Sequence, residues 1–277
     1  PGSRTFRKKM RKDKLAILLT LLLATPFLTG GVMTLNPATE EEELIFIPAA
    51  KERNMGRNIN KQVHEHFKIP VDPLVQKRID QIGEKLAGGT DRRDIVYHFT
   101  ALSDEKEDNY NAFAAPGGYI YIFDDLVETM ETDDKIAAVL AHEMGHIEAK
   151  HSIKRLQGSL GTTLLLILGS QMRTEKGDFA AANKAIGQLM MAYSRHDERQ
   201  ADELSVRYME RAEFDPDGAV QALKTLKKLR KKAPLMRHSF YRSHPYLSER
   251  IAHLKNIIRG YTDFESYINI MPEKEKL

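Results

Sequence analysis

The chain contains no cysteine, which excludes a disulfide-bonded scaffold, a thiolate zinc finger, an iron–sulfur protein and a cysteine nucleophile. It also lacks internal repeats and low-complexity tracts. The remaining composition, with 42% hydrophobic and 29% charged residues, is that of an ordinary globular protein. A length of 277 residues suits one large domain or two small ones.

A large excess of positive charge is also absent outside the N-terminus. Seven basic residues against one acidic residue give residues 1–14 a charge of +6, which leaves −3 for the rest of a chain whose net charge is +3. Nucleic-acid binding requires a clustered basic surface. The mildly acidic body therefore argues against nucleic acid as a partner.

Residues 15–39 carry no charge and follow directly on the basic segment. A basic flank followed by an apolar run is typical of a secretory signal, and the run is also long enough to span a bilayer if it is retained. Both alternatives predict an exported protein, in the periplasm or on the outer face of a bacterial inner membrane. The second adds membrane association through residues 15–35. We expect residues 1–39 to be a basic segment plus signal peptide or membrane anchor, and residues 40–277 to form a single domain.

The periodicity of the body predicts helices and one small sheet, an α+β fold that is mostly helical. Strands are predicted where β-branched and aromatic residues alternate, at residues 94–102, 111–118 and 119–123. Helices are predicted at residues 50–68, 72–87, 124–131, 133–155, 159–171, 178–211, 216–231 and 245–259.

A histidine pair with metal-ligand spacing lies in the middle of the chain. His142 and His146 flank Glu143 in the sequence HEMGH. Because residues i and i+4 lie on one face of a helix, both imidazoles can bind one ion, while Glu143 can activate a metal-bound water. Two nitrogens and a carboxylate suit zinc and leave a fourth position for water. The alternative, a surface helix with two solvated histidines, is disfavoured because the helix is amphipathic and largely apolar.

The source of the third ligand distinguishes the classes of zinc site. The metzincin pattern requires glycine and histidine where this chain has Ala149 and Ser152, so that class is excluded. The other source is a glutamate on a second helix, and residues 193–204 contain Glu198 followed one turn later by Asp202. Glu198 would reach the metal, and Asp202 would accept the outer N–H of a ligand histidine. Without the upstream motif, the same segment would be interpreted as an ordinary salt-bridged helix.

Three separated motifs, HEMGH, YSRHDERQAD and SHPYLSERI, occur in this order with the strand pair NAFAAPGGYIYI before them. Together they resemble the zinc metallopeptidase family that includes BepA, HtpX and the CAAX prenyl endopeptidases. The resemblance implies a zincin-like (gluzincin) fold and a zinc-dependent endopeptidase acting on misfolded or unassembled envelope proteins. The branch it resembles is a short exported one without a tetratricopeptide tail.

Three other functions stay open. The first is a zinc-bound but self-inhibited protein that acts mainly as a chaperone or adaptor, and the second is a zinc hydrolase of non-peptide substrates. The third, a structural zinc domain, is disfavoured because a purely structural site does not need Glu143.

The resemblance assigns roles to the residues that match its motifs. It implies that His142, His146 and Glu198 are the zinc ligands and that Glu143 is the general base. His244 matches a histidine near the metal, which either donates to the oxyanion or occupies the fourth zinc position in a closed state.

Further residues are expected around the ligands. The resemblance places Asp202, Arg195 and Arg250 there, with Arg250 paired to an acidic residue of the ligand helix. The tetrahedral oxyanion of peptide hydrolysis needs a donor besides the zinc. His244 is the first candidate and Tyr193, which we also place in the substrate site, is the second.

A polypeptide substrate must lie extended across the cleft, where an edge strand can pair with its backbone. The resemblance and this binding mode point to residues 111–115, with Asn111 and Ala114 near the substrate. A plain hairpin is the alternative.

Three further histidines are not expected to bind the metal. His64 and His66 occupy alternate positions of a helix, so they point apart and are solvated. His151 follows His146 by five residues, about 140° further round a continuous helix, which is too far for a ligand. We expect His151 to be structural or at the rim of the cleft.

Overall fold

The computed structural model describes residues 32–259 except at positions 37, 41, 46, 71, 105–107, 160–174 and 233–238. A small sheet in the first half of the chain lies between two groups of helices, and the later helices surround the one that carries HEMGH.

The described strands are β1 (Val32–Leu35), β2 (Glu42–Ile45), β3 (His98–Leu102), β4 (Ala112–Ala115) and β5 (Tyr119–Phe123). The helices of the first half are α1 (Ala49–His66), α2 (Pro73–Gly88), α3 (Asp124–Met130) and α4 (Asp133–Glu148). Those of the second half are α5 (His151–Ser159), α6 (Glu175–Leu189), α7 (Arg195–Arg211), α8 (Asp217–Lys232), α9 (Phe240–Ser243) and α10 (Leu247–Arg259).

The central sheet has the strand order β3-β5-β4, with β3 parallel and β4 antiparallel to β5. Because side chains alternate along a strand, its two faces contribute to different hydrophobic cores. Ile120 and Ile122 belong to the core that contains α4, whereas Tyr121 and Phe123 belong to the core that contains α1 and α5. In the described sheet β4 is an edge strand, and all four of its residues are buried.

The predicted turn between β4 and β5 depends on two glycines. Gly117 and Gly118 have φ angles of 78° and 98°, which other residues rarely adopt. A Cβ on Gly118 would also lie 2.1 Å from the carbonyl oxygen of Val96. The turn therefore requires glycine on grounds of both backbone conformation and space.

The α+β prediction is confirmed, and most predicted elements are present within a few residues. The strand predicted at residues 94–102 begins at His98, and the one predicted at 111–118 ends at Ala115. The helix predicted at residues 159–171 lies almost wholly outside the described residues.

Two predicted continuous helices were wrong, since each is broken close to the metal-binding motifs. The helix predicted at residues 133–155 ends at Glu148 and resumes at His151, after Lys150 adopts a left-handed φ of 55°. The helix predicted at residues 178–211 is interrupted after Leu189 and resumes at Arg195. Hydrophobic periodicity continues across both breaks, so it does not reveal them.

The packed domain includes residues that precede the predicted boundary at residue 40. Strands β1 and β2 form an antiparallel hairpin. The Asn36 side chain donates to the carbonyl oxygen of Glu148 at 2.9 Å, and Ala38 is part of the core around α4. The boundary expected between residues 39 and 40 thus falls inside a structural unit.

Candidate metal centre

Helix α4 carries the histidine pair through the centre of the domain. It begins after Thr132, whose hydroxyl oxygen accepts from the N–H of Lys135, and every residue from Ile136 to Glu148 is buried. Burial on all sides removes His142 and His146 from bulk water, so these polar rings need partners within the protein.

Helix α7 supplies the acidic partners of these histidines. A capping box between Ser194 and Asp197 starts the helix. Glu198 in its first turn and Asp202 one turn later both face α4 and are at most 1% exposed.

Four side chains meet at one point, which makes this cluster the candidate metal site. His142, His146, Glu198 and His244 each offer one ligand atom, and these atoms lie within 4.8 Å of one another. The Nε2 atoms of His142 and His146 are 3.1 Å apart, and they lie 3.5 and 3.6 Å from the carboxylate of Glu198. Two imidazoles and a carboxylate are a donor set that a divalent transition metal prefers.

The buried carboxylate of Glu143 also suits a place beside a bound cation. Both carboxylate oxygens of Glu143 lack a partner in hydrogen-bond geometry among the described residues. Glu143 Oε1 nevertheless lies 3.2 Å from Nε2 of His244. Buried carboxylates without partners are rare, so the donor set fits a bound metal ion with an adjacent water.

The electrostatics of the two glutamates differ. Burial raises the pKa of Glu143, which suits a group that accepts a proton. Burial also raises the pKa of Glu198, but the positive charge of Arg250 together with the charge and hydrogen bonds of His244 and His142 outweighs this and holds the pKa well below its ordinary value. Glu198 is therefore the anionic member of the cluster, whereas Glu143 is the more basic carboxylate.

The structure brings Asp202 and Arg250 together beside the ligands. Asp202 Oδ1 lies 3.0 Å from Nδ1 of His142, so it can accept the outer N–H of that ring. Arg250 donates through Nε and a terminal nitrogen to both oxygens of Asp202, at 2.9 and 2.7 Å, and another terminal nitrogen lies 2.6 Å from Glu198. The buried guanidinium thus balances the two carboxylates.

Arg195 lies outside this arrangement. Its side chain is 59% exposed, pairs with Glu249 and stacks over the ring of Tyr246. Arg195 is the first residue of α7, and the rotation of that helix turns it to the surface while Glu198 and Asp202 turn inward.

His151 contacts a ligand histidine, which the sequence did not predict. Its Nδ1 lies 2.9 Å from Nδ1 of His146, and its Nε2 lies 3.0 Å from Oε1 of Gln200. Burial lowers the pKa of His151 to about 4. The left-handed residue Lys150 turns the chain so that His151 reaches the outer side of His146. Recognising the helix end at Glu148 would have revealed this contact.

The segment that carries His244 is attached to the loop before the edge strand. The N–H of Phe240 donates to the carbonyl of Tyr110 at 2.7 Å, and the hydroxyl of Ser243 donates to Oδ1 of Asn111 at 3.0 Å. The ring of Phe240 stacks on His244 with centroids 4.1 Å apart. These contacts hold Nδ1 of His244 3.0 Å from Glu198 and 3.2 Å from Nε2 of His142.

Tyr193 packs flat on His146, one of the candidate metal ligands. Its ring lies 3.8 Å from that of His146, and Arg155 covers it at 3.4 Å. The buried hydroxyl of Tyr193 has no hydrogen-bond partner among the described residues. This leaves it free to donate to a bound group.

The predicted substrate-binding residues lie at the edge strand, and two of the other histidines lie at the surface. Asn111 immediately precedes the edge strand β4, and Ala114 lies within it, 1% exposed. His64 and His66 are exposed, and neither belongs to the metal-binding cluster found among the described residues.

The comparison with protein families decides which family the chain belongs to. The model of Peptidase family M48 matches residues 73–258, which is more than half of the chain. The chain belongs to this family. The resemblance inferred from the motifs is thus confirmed, and the mostly helical fold with its small sheet agrees with the expected zincin-like architecture.

Three relatives illustrate the similarity of this M48 chain to named proteins. The beta-barrel assembly-enhancing protease of Yersinia pestis is 26% identical over 233 residues, which are 76% of this chain and 46% of that protein. The mitochondrial metalloendopeptidase OMA1 of Saccharomyces cerevisiae is 31% identical over 235 residues, 79% of this chain and 67% of that protein. The metalloprotease LoiP of Escherichia coli is 25% identical over 190 residues, 68% of this chain and 72% of that protein. The chain spans somewhat less than half the length of the beta-barrel assembly-enhancing proteases it matches.

Among the described residues of the M48 chain, no helix combines the length and the apolar character needed to cross a bilayer. Most of the uncharged N-terminal run lies outside those residues.

Proposed function

We propose that the protein is a zinc-dependent endopeptidase that hydrolyses peptide bonds of protein substrates. The observation that carries this proposal is the buried cluster of His142, His146 and Glu198 with the buried carboxylate of Glu143 beside it. A structural metal site would not need a basic carboxylate at this position.

In peptide hydrolysis, the bound ion and the side chains of the protein would have different roles. When bound, zinc supplies a Lewis acid that polarises the scissile carbonyl and lowers the pKa of water towards about 7. Glu143 accepts a proton from the attacking water and delivers it to the leaving amine, so that the peptide C–N bond breaks and a carboxylate and an amine are released. Tyr193 or His244 donates to the developing oxyanion.

Asp202 and Arg250 support these steps without contacting the substrate. Asp202 orients His142 by accepting from its Nδ1–H, and Arg250 keeps Asp202 and Glu198 ionised in a site without bulk water. Removing either group would leave a buried charge without its partner.

The substrate would lie along β4. This strand is an edge of the described sheet, and Asn111 at its start is hydrogen-bonded to the segment that carries His244. An extended polypeptide added at this edge would pair with the backbone around Ala114. Misfolded or unassembled proteins are the proposed substrates because they offer extended segments.

We propose an exported location, in the periplasm or at the outer face of a bacterial inner membrane. The basic N-terminus followed by an uncharged run supports this proposal. Since Asn36 and Ala38 pack against the domain, the signal or anchor would be confined to the residues before Val32. Accessibility to an added protease in spheroplasts tests the proposal, because a cytoplasmic protein would be protected.

The test of the activity compares full-length wild-type protein with Glu143→Gln. Zinc content is measured for both, together with cleavage of an unfolded protein such as casein. We expect one zinc per chain in both and cleavage by the wild type alone. Glu203→Gln is the matched control, since this carboxylate is exposed and pairs with His253, and it should cleave like the wild type. A wild-type protein without zinc would refute the proposal.

A second function is favoured by the position of His244. Its Nδ1 lies within the cluster itself, in reach of both Glu198 and His142, where a fourth ligand would be placed. The protein would then be self-inhibited and would act mainly as a chaperone or adaptor. His244→Ala separates the two functions, because it should increase proteolysis if His244 blocks the metal and nearly abolish it if His244 donates to the oxyanion.

A further inference from the structure

The two ligand histidines are oriented by different partners. His142 faces the carboxylate of Asp202 through its outer nitrogen at 3.0 Å. The outer nitrogen of His146 pairs with no carboxylate of the described residues and lies 2.9 Å from Nδ1 of His151. A ligand histidine usually donates its outer N–H to a carboxylate, a carbonyl or water, so an imidazole in this place requires an explanation.

We propose that His151 is a positioning residue that orients His146 towards the metal. His146 can bind an ion through Nε2 only if its proton resides on Nδ1. The atom facing that proton is Nδ1 of His151, which must therefore accept. The proton of His151 then resides on Nε2, and Oε1 of Gln200 lies 3.0 Å away to accept it.

The chain of hydrogen bonds has one consistent direction. His146 donates to His151, and His151 donates to Gln200, whose amide oxygen can only accept. Each member is buried or partly buried, so water does not readily replace any of them. The charged groups that act on His151 are Asp197, Lys154 and Glu198. The carboxylate of Asp197 is 3.5 Å from Nε2, beyond good hydrogen-bond distance.

The break between α4 and α5 makes the contact between His146 and His151 possible. On a continuous helix, residues 146 and 151 would point in directions about 140° apart. Lys150, with its left-handed φ of 55°, ends α4 and turns the chain, and α5 starts at His151 itself. Gln200 comes from α7, between Glu198 and Asp202. The ligand helices α4 and α7 are thus joined by two bridges, one through Asp202 and the other through His151.

The inference rests on the proposed metal site and is tested by zinc affinity in the full-length protein. We compare His151→Leu, which removes both ring nitrogens, with His151→Asn, whose side-chain oxygen is as many bonds from the backbone as Nδ1. The dissociation constant for zinc is measured by competition with a chelator, and the unfolding midpoint of each metal-free protein is measured separately. His151→Leu should weaken zinc binding by about 10- to 100-fold, and His151→Asn should restore most of that loss.

The control is His253→Leu, which removes a partly exposed histidine paired with Glu203 and should leave zinc affinity unchanged. Equal zinc affinity in wild type and His151→Leu, with only the metal-free stability lowered, would show that His151 merely fills space. An equal loss in the leucine and asparagine variants would also overturn the inference. A wild type that binds no zinc would instead refute the proposed function, so the two failures are distinguishable.

Discussion

Gly145 lies where the two ligand-bearing helices cross, and its replacement by alanine tests how closely they must approach. A Cβ at this position would lie 2.8 Å from the carbonyl oxygen of Ala201 and 2.9 Å from its Cα. An ordinary contact begins near 3.4 Å, so α4 and α7 would have to separate by roughly 0.6 Å. The obstacle is backbone, which cannot rotate away as a side chain can.

Two opposing effects set the stability of Gly145→Ala. Alanine gains about 1 kcal/mol over glycine in a helix interior, whereas overpacking costs about 1–3 kcal/mol. The net loss is therefore about 0–2 kcal/mol, too small to be decisive alone. The metal site is more sensitive, because Glu198 is three residues from Ala201 and a site loses function when its groups move by about 0.5 Å. We expect zinc affinity to fall by about tenfold or more.

The assay is zinc competition together with chemical denaturation of the metal-free protein. Gly187→Ala is the matched control, since this glycine lies in α6 and an added Cβ would meet nothing within 4 Å. It should gain stability of up to about 1 kcal/mol and bind zinc as the wild type does. If Gly145→Ala behaves in the same way, the close helix crossing is not what places Glu198.

Two further predictions concern charged groups. Arg250→Met should lower the free energy of unfolding, measured with denaturant, by about 3–5 kcal/mol because buried Asp202 and Glu198 lose their shared partner. Arg195→Met, at an exposed ion pair, should lower it by less than about 1 kcal/mol. Similar losses in the two variants would contradict this prediction. Burial raises the pKa of Asp91, but Arg211 outweighs it and the net pKa is lowered. The ionised Asp91 therefore stabilises the fold fully above about pH 4, and this stabilisation is lost as the pH falls through the lowered pKa. The difference in free energy of unfolding between wild type and Asp91→Asn should shrink in acid and stay constant at pH 5–8.

The local parts of the site were predictable because they depend on helical geometry. The spacing of His142 and His146 places both rings on one face of any α-helix, and the same rule places Glu198 above Asp202. The strand pair around Gly117 and Gly118 was predictable for a similar reason, since the turn requires glycine.

The errors arose where the rotation or the end of a helix matters. Arg195 belongs to the motif that carries Glu198, yet it points to solvent and pairs with Glu249 because the axial rotation of α7 is set by its packing. His151 was judged by continuing α4 past its actual end, and the left-handed conformation of Lys150 brings it against His146, a contact that a continuous helix does not allow.

The sequence by itself predicted which residue types form the candidate site, because residues four apart lie on one face of an α-helix. The family resemblance named the distant side chains, but only the tertiary structure shows how they reach the histidine pair. His244 and Arg250 lie more than a hundred residues after His142. Arg250 reaches it because α10 packs on α7, which packs on α4, and His244 is held there by the contacts of its segment with Tyr110 and Asn111. Such contacts depend on the shape and burial of whole surfaces, which no local spacing encodes.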